Sequence, residues 1–85
     1  MQAIHCTLET LGAELRRVRI QKGLTQHQLA SATGLRQSTI SSIERGTRVP
    51  RMSVLRAILK ALDLEVVLSI SPAQVVQQDD RRLAD

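Results

Sequence analysis

The sequence predicts an all-α domain, a bundle of four to five short helices containing a helix-turn-helix and closed by one C-terminal β-strand. Three observations carry this prediction. Apolar residues recur at spacings of three and four through most of the chain, with glycines between the runs. There is no Phe, Tyr or Trp, so the core is built from Leu, Ile, Val, Ala and Met, a set suited to small helices packed closely. At Asp63 the period changes to two.

Leu8, Leu11, Leu15 and Val18, followed by Lys22 and Gly23, predict a first helix over roughly Thr7 to Lys22 with a glycine cap. Thr25 offers an N-cap hydroxyl for a second, "QHQLASAT", with Leu29, Ala30 and Ala32 inward and Gly34 free to turn left-handed. Gln37 to Arg45 reads as a third helix closed by Gly46. "TRVP" reads as a loop, because Pro50 disfavours helix at Val49. Val54, Leu55, Ile58, Leu59 and Leu62 mark a fourth.

"LEVVLSI" then alternates, with Leu64, Val66, Leu68 and Ile70 on one face. A lone apolar strand needs a partner. Residues near "QAIHC" of the same chain are one choice and the same strand of a second copy across a two-fold axis is the other; the second is the expectation here. Pro72 ends the strand. The expected organisation is a lead-in over 1–10, a helix-turn-helix domain over 11–64, a dimerisation strand over 65–71 and a polar tail over 72–85.

At 85 residues the chain allows one domain with a marginal core. The net charge is +4, and its distribution is uneven: ten basic residues between Arg16 and Lys60 face a single acid, Glu44. A basic middle with acidic flanks suits a polyanion. Without aromatic side chains the protein lacks the stacking platforms of single-strand and RNA binders, so duplex DNA is the expected partner. Cys6, the single cysteine, cannot form an internal disulfide, and "MQAIHCTLET" has neither the basic region nor the apolar core of a signal peptide; a cytoplasmic protein is expected. His5, Cys6 and His27 lack the spacing of a metal site, and neither a Gly-rich phosphate loop nor a paired-carboxylate site occurs, which argues against an enzyme or any metal or cofactor.

The third helix carries the functional signal. In "LRQSTISSIERG", Ile40 and Ile43 lie on one face while Gln, Ser and Thr fill the rest, although Ser and Thr are mediocre helix formers. Short polar side chains let a backbone approach base edges in the major groove. Arg36, Gln37, Ser38 and Ser42 are the expected base contacts, with Gln37 able to pair with adenine in a bidentate manner. Gln26, at the start of the second helix, and Thr39, Arg45, Arg48 and Arg51 are the expected phosphate contacts. A solvated polar surface is the alternative for each residue taken singly.

"RIQKGLTQHQLASATGLRQSTISSIERGTRVPRMSVLRAILKALDL" resembles the lambda/434 repressor-like, or Xre, family of helix-turn-helix regulators over about Leu11 to Leu64. The resemblance implies a phosphate contact for Gln26, base contacts for Gln37, Ser38 and Ser42, and a structural ion pair between Arg19 and Glu44. The chain departs from the family pattern at Arg36, where a small N-cap is usual, and at Asp63, where a glycine often ends the helix. The expected function is a homodimeric, sequence-specific repressor on a near-palindromic operator. The passage from Asp63 into a strand resembles the HipB-type antitoxins, which implies a strand-paired dimer that represses its own operon and binds a HipA-like kinase toxin. A stand-alone repressor, and an antitoxin acting chiefly as a protein inhibitor, are the alternatives.

Overall fold

The computed structural model describes residues 2–69. Six elements follow in order: β1 (Gln2–Thr7), α1 (Leu11–Gln21), α2 (Gln26–Thr33), α3 (Gln37–Glu44), α4 (Met52–Leu62) and β2 (Leu64–Ser69). Four helices and the C-terminal strand therefore stand as predicted.

The first helix begins later than its periodicity suggests. Thr7 and Thr10 close a turn ahead of it: the Thr7 amide donates to Thr10 Oγ1 at 3.0 Å and the Thr10 amide to the Thr7 carbonyl at 3.2 Å. The Thr10 hydroxyl is thus turned away from the helix it precedes, and α1 starts at Leu11 without a side-chain cap. Leu11, Leu15 and Val18 point inward, and so does Gly12. A Cβ on Gly12 would overlap the backbone carbonyl of Ile43, so the α1–α3 approach requires glycine here.

Helix α2 opens on a complete capping box: the Gln28 amide donates to Thr25 Oγ1 at 3.0 Å and the Thr25 amide to Gln28 Oε1 at 2.8 Å. Leu29 and Ala30 are buried, but Ala32, expected inward, is exposed. Thr33, one turn after Leu29, takes the half-buried place instead, and its hydroxyl donates to the Leu29 carbonyl at 2.9 Å. Helix α3 buries Ile40, Ile43 and Glu44, and α4 buries Leu55, Ile58 and Leu62. Asp63 ends α4 in the left-handed region at φ 52°, the conformation that glycine adopts at lower cost.

The strand's partner is corrected. β2 pairs in parallel with β1 of its own chain, with Ile4 opposite Val66 and Cys6 opposite Leu68. A parallel pair needs a long crossover, and the four helices provide it. Ile4, Cys6 and Leu64 are buried against the helices with Val66 and Leu68 packed beside them, so the apolar face assigned to a dimer mate completes this chain's own core. The expected lead-in is thus largely a strand. Ile70 and the expected tail, 72–85, lie outside the described residues.

Three outcomes follow from these contacts. Gly12→Ala should lower stability by about 1–3 kcal/mol, despite alanine's better helix propensity, because the added methyl cannot be accommodated; thermal unfolding should show a fall of about 4–8 °C per kcal/mol, and an unchanged midpoint would refute the close approach. Asp63→Gly should hold or raise the midpoint while Asp63→Val lowers it by about 1 kcal/mol or more, since only the second worsens the left-handed strain; a fall with both would show that the aspartate side chain matters more than its backbone. Burial, with a smaller contribution from the Glu14 carboxylate, pushes the Cys6 thiol above its ordinary range. Folding therefore keeps the thiol protonated, so its contribution to stability is full below the ordinary thiol range and is lost as pH rises from there through the raised value of the folded protein. Iodoacetamide at about pH 8 should alkylate Cys6 slowly until denaturant is added, and equal rates before and after would contradict the packed strand.

Candidate nucleic-acid interface

Gly34, at φ 73°, lets the chain leave α2 and turn into α3, with the Leu35 amide returning to the Ala30 carbonyl at 3.2 Å. With Ile40, Ile43 and Glu44 buried, α3 turns its polar Gln, Ser and Thr side chains to the other side, exposed or half-exposed. Arg36, Gln37 and Ser38 are exposed around its N-terminus, and Ser42, one turn on, is half-buried with Thr39 and Ser41. Arg36 occupies the N-cap position without a side-chain cap bond, so the first amides of α3 receive no hydroxyl or carboxylate from that residue.

Beyond the helix, the Thr47 amide and hydroxyl both donate to the Ser42 carbonyl, at 3.0 and 3.1 Å. Gly46, at φ 78°, makes that return possible. This closure steadies the segment bearing Arg45 and Arg48; Thr47 was not singled out in the sequence, where it reads only as a loop residue. Arg45, Arg48 and Arg51 are all exposed. Arg45 Nε lies 3.4 Å from the Ser41 carbonyl and Arg48 Nη1 lies 3.5 Å from Thr39 Oγ1. Thr39, Arg48 and Arg51 line one groove beside α3, together with Leu35, Pro50 and Val54. Two exposed apolar side chains, Val49 and Met52, stand among these arginines.

Arg19 and Glu44 are the two buried charged residues among those described. They meet in a bidentate ion pair, Arg19 Nε to Glu44 Oε2 at 2.6 Å and Arg19 Nη2 to Glu44 Oε1 at 3.0 Å. Arg19 Nη1 also donates to the Leu24 carbonyl at 2.6 Å. Arg19 is therefore withdrawn from the exposed basic surface. Gln26, half-buried at the start of α2, donates from Nε2 to Glu44 Oε1 at 3.1 Å. One amide hydrogen is thereby engaged and the other remains for an external acceptor.

Of the residues expected to touch bases, Gln37, Ser38 and Ser42 thus share α3 and Arg36 stands at its N-cap position; four of those expected to touch phosphates flank or belong to it, while Gln26 reaches it through Glu44. His5 and Cys6 fall on opposite faces of β1, His5 exposed and Cys6 buried, so they do not act together. No helix among the described residues is long and apolar enough to cross a membrane.

Residues 15–68 match the helix-turn-helix family model HTH_3. The HTH-type transcriptional regulator y4dL of Sinorhizobium fredii is 43% identical over 61 residues, 72% of this chain; the chain spans only 31% of that relative's length. Antitoxin HipB of Escherichia coli is 34% identical over 73 residues, covering 81% of this chain and 78% of HipB. Among solved structures, the restriction-modification controller protein C.AhdI of Aeromonas hydrophila superposes with a TM-score of 0.65 at 38% identity, covering 68% of this chain and 88% of that one. The fold, the family match and these likenesses agree: the chain belongs to the HTH_3 family of Xre-like helix-turn-helix regulators.

Proposed function

We propose that this protein is a homodimeric, sequence-specific repressor of duplex DNA and the antitoxin of a type II toxin-antitoxin operon. The observation that carries the DNA-binding part is α3, a helix held by Ile40, Ile43 and Glu44 that turns Gln37, Ser38 and Ser42 outward between exposed arginines. In this reading α3 enters the major groove. Arg36, Gln37, Ser38 and Ser42 meet base edges, and Gln26, Thr39, Arg45, Arg48 and Arg51 meet phosphates.

A two-fold dimer places the two copies of α3 in successive major grooves about 34 Å apart, on a near-palindromic operator. Among the described residues β2 is paired on one edge only, by β1, so a second copy can meet the backbone of the other edge while Leu64, Val66 and Leu68 stay in their own core. Likeness to antitoxin HipB over most of both chains supports an operon that the protein represses while binding a HipA-like kinase toxin. Likeness to a restriction-modification controller favours a second reading, a regulator without a toxin. In either case the protein acts in the cytoplasm, where its DNA lies.

Fluorescence anisotropy on DNA from the protein's own upstream region and on a scrambled duplex, across a salt series, tests the reading. Operator binding should exceed scrambled binding by roughly a thousandfold. Gln37→Ala should relax base preference at one position in each half-site, at a cost of about 1–3 kcal/mol on the preferred base. Arg45→Ala should weaken all sequences alike and flatten the salt dependence. Comparable, steeply salt-sensitive binding to both duplexes would reduce the surface to a merely basic one. Co-purification with a kinase encoded beside it separates the antitoxin from the stand-alone regulator.

A further inference from the structure

Three elements converge on one carboxylate. Glu44 ends α3, Arg19 reaches it from α1, and Gln26 reaches it from the first turn of α2. The same guanidinium holds the Leu24 carbonyl just before α2 begins, so the entry to α2 and its first polar side chain are both fastened to the ion pair. Every buried side-chain nitrogen and oxygen among the described residues has a partner, so nothing in this network is left to rearrange for want of one. Both side chains of the pair are nearly inaccessible, at 8% for Arg19 and 3% for Glu44.

We infer that Glu44 is a positioning residue for DNA recognition, which fixes the Gln26 amide relative to α3 and withholds the charge of Arg19 from the DNA. The inference rests on the DNA-binding reading above and deepens it. Gln26 has several rotatable bonds, and a free side chain would have to be ordered when it met a phosphate. The bond to Glu44 Oε1 orders it beforehand and leaves its second amide hydrogen for the DNA. The anchor is itself the end of α3, so the distance between the backbone contact and the base contacts is set inside the protein. A contact of fixed register rewards the correct sequence, at which both kinds of contact form together, more than a random one.

Charge acts in the same direction. A bare carboxylate beside Gln26 would repel a phosphate, and a bare guanidinium would attract any phosphate whatever the sequence. Paired, the two hold the geometry with no net charge.

The experiment compares Gln26→Asn, Gln26→Ala and Glu44→Gln with the unmodified protein on the upstream duplex and its scrambled counterpart across a salt series, each variant below its own unfolding midpoint. Asparagine keeps the amide but is one methylene too short to span to Glu44. Gln26→Asn should therefore lose about tenfold on the upstream duplex, as Gln26→Ala does, and less on the scrambled one, where the phosphate contact is not made in register with base contacts. Glu44→Gln leaves Arg19 uncompensated. It should bind scrambled DNA more tightly, with a steeper salt slope because one positive charge is no longer neutralised, while its preference for the upstream duplex falls about tenfold. A purely structural role for Glu44 would instead weaken both duplexes in parallel.

Wild-type preference in Gln26→Asn overturns the inference, and so does parallel weakening in Glu44→Gln. If Glu44→Gln does not fold, Gln26→Asn against Gln26→Ala decides alone, because Gln26 belongs to no core cluster. Failure of the unmodified protein to prefer its upstream duplex overturns the DNA-binding reading and the inference with it, and is separable because no substitution is involved.

Discussion

The buried ion pair between Arg19 and Glu44 is the constraint on which the rest of this structure depends. Two charges removed from water carry a large desolvation cost, and only good geometry with further hydrogen bonds offsets it. Here that requirement brings α1, the entry to α2 and the end of α3 to one point. The pair is weak evidence for added stability, since well-packed apolar residues of the same volume often do as well. Its value lies in arrangement, because the carboxylate is satisfied in one relative placement of the three helices.

Gly12 makes that placement reachable. It lies two turns before Arg19 on α1, and its missing side chain admits the backbone carbonyls of Ile43 and Glu44. Helix α1 therefore holds α3 by its C-terminal end at two points, once through backbone contact and once through the ion pair. A guanidinium near the negative end of a helix is also favoured by the helix dipole. Held at that end, α3 is left with its N-terminus projecting, which is where Gln37 and Ser38 lie. The sheet completes the same small core from the other elements: Ile4 and Cys6 of β1 join Leu64 of β2 against the helices, which matters in a chain with no aromatic side chain to fill space.

How much of this was legible in the sequence depended on how local the cause was. The helices and β2 declare themselves through their own periods, and the Thr25 cap and the Gly34 turn through single residue types. β1 does not: in "QAIHCT" the alternation of Ile4 and Cys6 is brief, Leu8 fits the helical run that follows, and the partner strand lies at the far end of the described chain. Gly12 reads as a weak point in a helix until the neighbouring carbonyl is seen. The resemblance to a known family supplied Arg19 with Glu44, and separately Gln26 with a phosphate. That Gln26 and Glu44 share a hydrogen bond could be learned only from the fold, because the two are eighteen residues apart and each has a sufficient role alone.

A helix as rich in Ser and Thr as α3, with an N-cap that makes no side-chain bond, has little stability of its own. Its order comes from one buried face, Ile40, Ile43 and Glu44, and from the closure at Gly46 and Thr47. This divides the helix into residues that hold it and residues that face outward. Gln37, Ser38 and Ser42 can then be exchanged for other short polar side chains with small effects on folding, so the outward face can change while what holds the helix stays the same. Glu44 is the exception to that division: it belongs to the buried face through Arg19 and also holds the Gln26 side chain, so under the proposed DNA-binding role stability and specificity are coupled at that position.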